Sequence, residues 1–165
     1  MTLPHEYAVS LQMAAPRTIA AVHARLPISA VPNRFKRYLD QVYAAARTGV
    51  IQLDGQNVFV YRDVPDQLAE ADVAFGVGVT TPCVAVGNVE PTFLPVGEVA
   101  TTTHRGNYAE LGAAHHAVID WCRLHGRRLV GPRWEVYAHW TEDETLLRTD
   151  VFYLLEPAGP GQGDC

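Results

Sequence analysis

Cysteine is scarce in this chain, with three in 165 residues. Cys83, Cys122 and Cys165 stand far apart and form no CxxC pair. A disulfide framework and a zinc knuckle are therefore excluded, and a reducing cytoplasm is the expected compartment. Charge is sparse too, at 19% of residues and a net −5. Outside Arg34-Phe35-Lys36-Arg37 and Arg127-Arg128 the basic residues are scattered, so nothing tracks a phosphate backbone and no nucleic acid is expected as a direct partner. No apolar run approaches the ~18 residues of a membrane span. Glu6 interrupts the N-terminal stretch where a signal peptide needs a continuous apolar core, so neither a membrane nor secretion is expected. GxSxG, HExxH and HxxxH are all missing. Gly76-Val77-Gly78 runs into Val79-Thr80-Thr81-Pro82 with no helix start to offer aligned N–H groups to a phosphate. No cofactor is expected.

Seven histidines raise the question of a metal. Their spacing answers it, since His115 and His116 are adjacent on a helical pattern and point about 100° apart, and no HxxxH or HExxH pair exists. No metal site is expected. His115 falls on the apolar stripe of its helix and reads as a core histidine with its hydrogen bonds met.

What is present is a chain that is 48% hydrophobic, enough for one globular domain over residues 1–155, followed by a Gly- and Pro-rich tail over 156–165 that should be mobile. Extended patterns run from Glu6 to Met13 and from Thr18 to Leu26. Next comes a helix in which Phe35, Tyr38, Leu39, Val42, Ala45 and Ala46 share a side, with Asn33 as N-cap and Gly49 as stop. Two β-rich runs, Asn57–Arg62 and Ala71–Thr80, read as a hairpin across a turn containing Pro65. The order then recurs: a strand over Val96–His104, a helix over Tyr108–Gly126, and a hairpin of Arg133–Trp140 with Thr149–Leu155 across the acidic turn Thr141–Glu144.

One offset, 76 positions, lays Asn57–Tyr61 over Arg133–Tyr137 and Ala74–Val77 over Asp150–Tyr153. The pattern therefore predicts an α+β fold of two pseudo-two-fold-related strand-helix-hairpin repeats, one over about 5–80 and one over about 95–155. Each repeat should carry an antiparallel sheet with one helix on its outer face, leaving a ligand cleft between the repeats.

Strand alternation singles out Glu135. Within Trp134–Trp140, Glu135, Tyr137 and His139 share one face while Trp134 and Val136 take the other, which suits the core beneath the helix. That points Glu135 and Tyr137 into the cleft, where an unpaired carboxylate is costly unless something compensates it. The competing reading is a solvated carboxylate paired with Arg133 or Arg148. Phe59 and Tyr61 take the corresponding places in the first hairpin, and Tyr108 opens the second helix at the edge of the cleft. Each of these aromatics also suits ordinary core duty. Trp140 is left as a rim or core residue.

His104-Arg105-Gly106-Asn107-Tyr108, then Leu111, Trp121 and Gly126, then Gly131-Pro132 before Glu135 and Tyr137, then Thr149-Asp150-Val151, make an ordered set. In it the chain resembles the GyrI-like effector-binding domain, the small-molecule module of MerR-type and AraC-type multidrug-responsive regulators, also found as a stand-alone protein. Asn107 and Leu154 stand where that family usually has proline. The resemblance implies a cytoplasmic protein that binds hydrophobic, aromatic or cationic small molecules in an aromatic pocket with Glu135 at its floor. The ligand-binding residues would be Glu135, Tyr137, Tyr108, Phe59 and Tyr61. Some stand-alone members hydrolyse cyclopropane-bearing alkylators, which implies an alternative: a cofactor-independent hydrolase, suited to self-resistance, with Glu135 as general base at a raised pKa and Tyr137 or Tyr108 as hydrogen-bond donor. A protein partner or a homodimer stays open.

Overall fold

The computed structural model describes residues 7–62 and 70–158. The Pro65 turn, the start of the first strand pattern at Glu6 and the tail from 159 onward lie outside the described residues. The elements run β1 (Ser10–Ala14), β2 (Thr18–Pro27), α1 (Val31–Ala46), β3 (Leu53–Tyr61), β4 (Glu70–Val79), β5 (Glu90–Phe93), β6 (Gly97–Arg105), α2 (Leu111–Leu124), β7 (Leu129–Tyr137) and β8 (Arg148–Leu155). The helix starts depart from expectation for local reasons. Helix α1 begins before Asn33, because Pro32 occupies its first turn, where a missing N–H costs nothing. Tyr108–Glu110 is a separate 3-10 turn ahead of α2, and the Asn107 side chain caps it by accepting from the Ala109 N–H at 2.8 Å. Gly49 and Gly126 stop the helices at φ 85° and 66°, a conformation that glycine adopts without steric cost.

All eight strands join one antiparallel sheet in the order β1-β6-β8-β7-β3-β4-β2-β5. At its centre β3 pairs with β7, with Asn57 opposite Tyr137, Phe59 opposite Glu135 and Tyr61 opposite Arg133. The 76-residue offset carries this set of pairs onto itself, so the pseudo-two-fold axis passes between Phe59 and Glu135. The outer strands show an exchange that periodicity does not reveal. Strand β1 precedes β2 yet pairs with β6, and β5 precedes β6 yet pairs with β2. Strand β5 has only four residues and contains Pro91, which a sheet edge tolerates because one side of the ladder is open.

Residues directly opposite one another in an antiparallel ladder share a face. Ala100, Tyr153, Arg133, Tyr61, Val73 and Ala24 therefore form one row across the sheet. Both helices cover this face. Leu39, Val42 and Ala45 of α1 pack with Phe59, Val73 and Phe75. Leu111, Ala114, Val118 and Cys122 of α2 pack with Ala100, Val151 and Tyr153. This corrects two expectations. The helices stand on the cleft side of the sheet, not on its outer face, and Trp134 and Val136 lie on the reverse face, not beneath a helix. Because the sheet is continuous through β3 and β7, the cleft is not a gap between two separate sheets but the space the helices leave above the seam.

The reverse face is also a core. Val58, Val60, Trp134 and Val136 of the central strands cluster there with Ile19 of β2, Val99 of β6 and Leu94. With no helix on this side, burial of both central and outer strands in one cluster requires the sheet to curl around them. Trp134 stacks on Phe152 at 5.5 Å and is 3% exposed. Replacing Trp134 with alanine should lower the unfolding free energy by about 3–5 kcal/mol in urea denaturation; a loss under about 1 kcal/mol would show that this face is not packed as a core.

Candidate functional site

Strand β7 presents Arg133, Glu135 and Tyr137 on the helix-bearing face, β3 adds Phe59 and Tyr61 beside them, and β8 adds Tyr153. Above this floor α1 contributes Val31 and Phe35, and the turn leading into α2, with α2 itself, contributes Tyr108, Leu111 and His115. Together they enclose a cavity of about 1070 Å³. Its walls are aromatic: Phe59 meets Phe35, Phe75 and Tyr137 at 5.7, 5.0 and 4.9 Å between ring centres, and Tyr108 meets Tyr137 edge-on at 5.5 Å. Glu135 lies at the floor, 4% exposed. Tyr137, Tyr61 and Phe59 surround it, and Tyr108, 36% exposed, stands at the edge. All five residues singled out in the sequence thus border one cavity. Strand β7 ends at Tyr137, so its alternation does not reach His139 or Trp140. Both line the mouth from the following loop, with Trp140 69% exposed.

The carboxylate is held by donors from three elements. His115 Nε2 lies 2.6 Å from Oε2, the Tyr137 hydroxyl donates to Oε1 at 2.7 Å, and the Tyr61 hydroxyl donates to the same oxygen at 3.4 Å. Burial pushes the carboxyl pKa up. The hydrogen bond and charge of His115, the hydrogen bond from Tyr137 and the charge of Arg133 outweigh it and hold Glu135 below its ordinary value. The expectation of a raised Glu135 is therefore reversed: desolvation is real, but the donors the fold supplies are stronger. Burial, then the charge on Glu135, pushes the Tyr137 and Tyr61 phenols well above their ordinary range, and burial takes Tyr153 up to about 12, so all three keep their protons.

Both ring nitrogens of His115 have partners, as a satisfied histidine requires, but the side chain borders the cavity and not the apolar core. An ionised Glu135 only accepts, so His115 Nε2 carries hydrogen toward it, while Nδ1 lies 2.7 Å from the Tyr153 hydroxyl. Sequence reasoning passed over His115, Arg133 and Tyr153 as site residues. The stripe Leu111, His115, Val118 and Cys122 was visible, and it would have aimed His115 at Glu135 had α2 been placed on the cleft side. A smaller hollow of about 520 Å³ lies over β1, β6 and β8. Within its lining Asp150 is held by Arg148 at 3.2 Å and by Thr103 at 2.7 Å.

An aromatic cavity over a buried charge, between two helices on one curled sheet, defines a small-molecule-binding domain. Residues 7–155 match the family model of the GyrI-like small molecule binding domain, and the chain belongs to that family. Among solved structures, the EcmrR C-terminal domain superimposes with a TM-score of 0.77 at 18% identity, over 92% of this chain and 99% of that one. SAV2435 bound to tetraphenylphosphonium gives 0.63 at 11% identity, over 93% and 95%. A hydrolase from Listeria innocua gives 0.61 at 12% identity, over 90% and 91%. No curated protein matches the sequence. No helix among the described residues is long and apolar enough to cross a membrane.

The pH response of stability follows from the lowered Glu135. A carboxyl whose folded pKa lies below its unfolded one stabilises the fold above the ordinary value of 4.5 and loses that contribution as the pH falls through the folded value. Glu135→Gln should melt below the wild type at pH 7, and the two melting temperatures should converge as the pH is taken down past the folded value. A constant gap from pH 7 to about 3 would show that the carboxylate is not held ionised by its neighbours.

Proposed function

We propose that the protein binds hydrophobic aromatic small molecules, cations among them, in the cavity above Glu135, and so acts as a receptor or sequestering protein for such compounds. The observation that carries this reading is an ionised carboxylate buried at the floor of a 1070 Å³ aromatic cavity. The volume suits a drug-sized ligand. The rings offer π faces to planar or cationic groups, and Glu135 supplies a negative pole in a setting of low dielectric, where charge attraction is strong. The tetraphenylphosphonium bound to SAV2435 is a compound of this chemistry in the same fold.

The hydrolase reading uses the same residues, with Glu135 activating water and a tyrosine donating to the substrate. The Listeria innocua hydrolase lends it a fold-level parallel. Two features here favour binding instead. A general base works best with a pKa near the working pH, and Glu135 is shifted the other way. Its oxygens are also already committed to His115, Tyr137 and Tyr61.

Exchanging Glu135 for glutamine keeps the shape and removes the charge. Affinity for a lipophilic aromatic cation, measured by calorimetry, should fall by about 1.5–3 kcal/mol, the scale of a charge attraction over roughly 6–10 Å at an effective dielectric of about 20, while a neutral planar compound binds nearly as before. Equal loss for both compounds would point to a collapsed cavity, and no loss for the cation would remove Glu135 from the site.

A further inference from the structure

Glu135 meets its hydrogen-bonding needs within the protein, and in doing so it uses up the donors around it. The hydroxyls of Tyr137 and Tyr61 and the Nε2 hydrogen of His115 all point at its two oxygens. The Tyr153 hydroxyl is turned toward His115 Nδ1. Arg133, two residues away on the same face of β7 and also bordering the cavity, is in the opposite condition. Among the described residues no carboxylate lies within ion-pair distance of its guanidinium. The group faces π surfaces, its central carbon 5.0 Å from the centre of the Tyr61 ring and 5.9 Å from that of Tyr153, with the Tyr153 oxygen at its edge. Its Nε is buried and has no acceptor. A guanidinium carries five N–H donors, and aromatic faces satisfy its charge in part but not its hydrogen-bond directions. The polar capacity left over at the cavity floor is thus for an acceptor, not for a donor.

We propose that Arg133 anchors an oxygen acceptor of the ligand, and that the class of compound taken is a planar aromatic zwitterion, with a delocalised cation over the Tyr137 and Phe59 side of the floor and a carboxylate on Arg133. This rests on the reading of the cavity as a ligand site and narrows it. Arginine suits the task because its planar fork pairs with a carboxylate through two parallel hydrogen bonds, which the ester of the same acid cannot reproduce. Glu135 and Arg133 then present charges of opposite sign close together, and a ligand with the complementary pair is favoured over one that meets only the carboxylate.

The test uses two dyes with one ring system: a rhodamine bearing a free carboxylate, which is zwitterionic at neutral pH, and its ethyl ester, which is a simple cation. Fluorescence titration of the wild type should show the free acid bound at least ~5-fold tighter than the ester, as expected of a charge-assisted contact. Arg133→Met should weaken the free acid at least ~10-fold while moving the ester by less than about 2-fold, and Arg133→Lys should recover part of the loss as a point charge without the fork. The proposal is overturned if the wild type takes the ester as tightly as the acid, or if Arg133→Met weakens both in parallel. The wild-type ratio decides the matter without any variant, so a poorly folding Arg133→Met would not shield it. Ester binding without preference overturns the role of Arg133 alone, whereas failure to bind either dye overturns the cavity reading with it.

Discussion

A carboxylate kept ionised inside an aromatic cavity is the constraint on which the rest of the site depends. Removing Glu135 from water costs several kcal/mol unless donors replace the lost hydration. Those donors come from three separate elements: the phenol of Tyr137 on the same strand, that of Tyr61 across the β3–β7 seam, and the imidazole of His115 from α2 above. No single segment could supply them. The position of α2 over the sheet, the register of the seam and the state of the carboxylate are therefore one problem with one solution. Tyr153 orients His115, and Arg133 sits beside Tyr153, so the polarity of the floor runs from the guanidinium through a hydroxyl and an imidazole to the carboxylate.

The two halves share the β3–β7 pairing and a helix each, and they differ at the floor of the cavity. The pseudo-two-fold axis passes between Phe59 and Glu135, which the repeat makes equivalent. A symmetric molecule would carry two phenylalanines there, or two carboxylates, and two buried carboxylates that close would repel strongly. One of each gives an apolar wall and a charged floor within a single strand pair. The helices diverge similarly: α1 offers Val31 and Phe35 to the cavity, and α2 offers His115.

Much of this architecture was legible in the residues. The stripe of α1, the two hairpins, the 76-residue offset and the alternation through Glu135 and Tyr137 are local patterns, and local patterns survive in a single sequence. The exchange of β1 and β5 between halves was not legible, because pairing between distant strands leaves no periodic trace and Pro91 disguises β5 as a loop. Nor was the face on which the helices lie, since a strand buried on both sides shows apolar residues at both parities: Trp134 and Val136 fit a helix-covered core as well as the curled reverse face they occupy. From that one ambiguity followed the oversight of His115 and the wrong direction for the Glu135 pKa, which depends on partners that only the correct layering brings near.

The most direct measurement is a crystal structure of the protein with a lipophilic aromatic cation such as tetraphenylphosphonium. The account predicts its rings between Phe35, Phe59, Tyr108 and Tyr137, with the charged centre within about 6 Å of the aromatic faces that flank Glu135. An ordered cation in the hollow over β1, β6 and β8, with the cavity between the helices left empty, would contradict it.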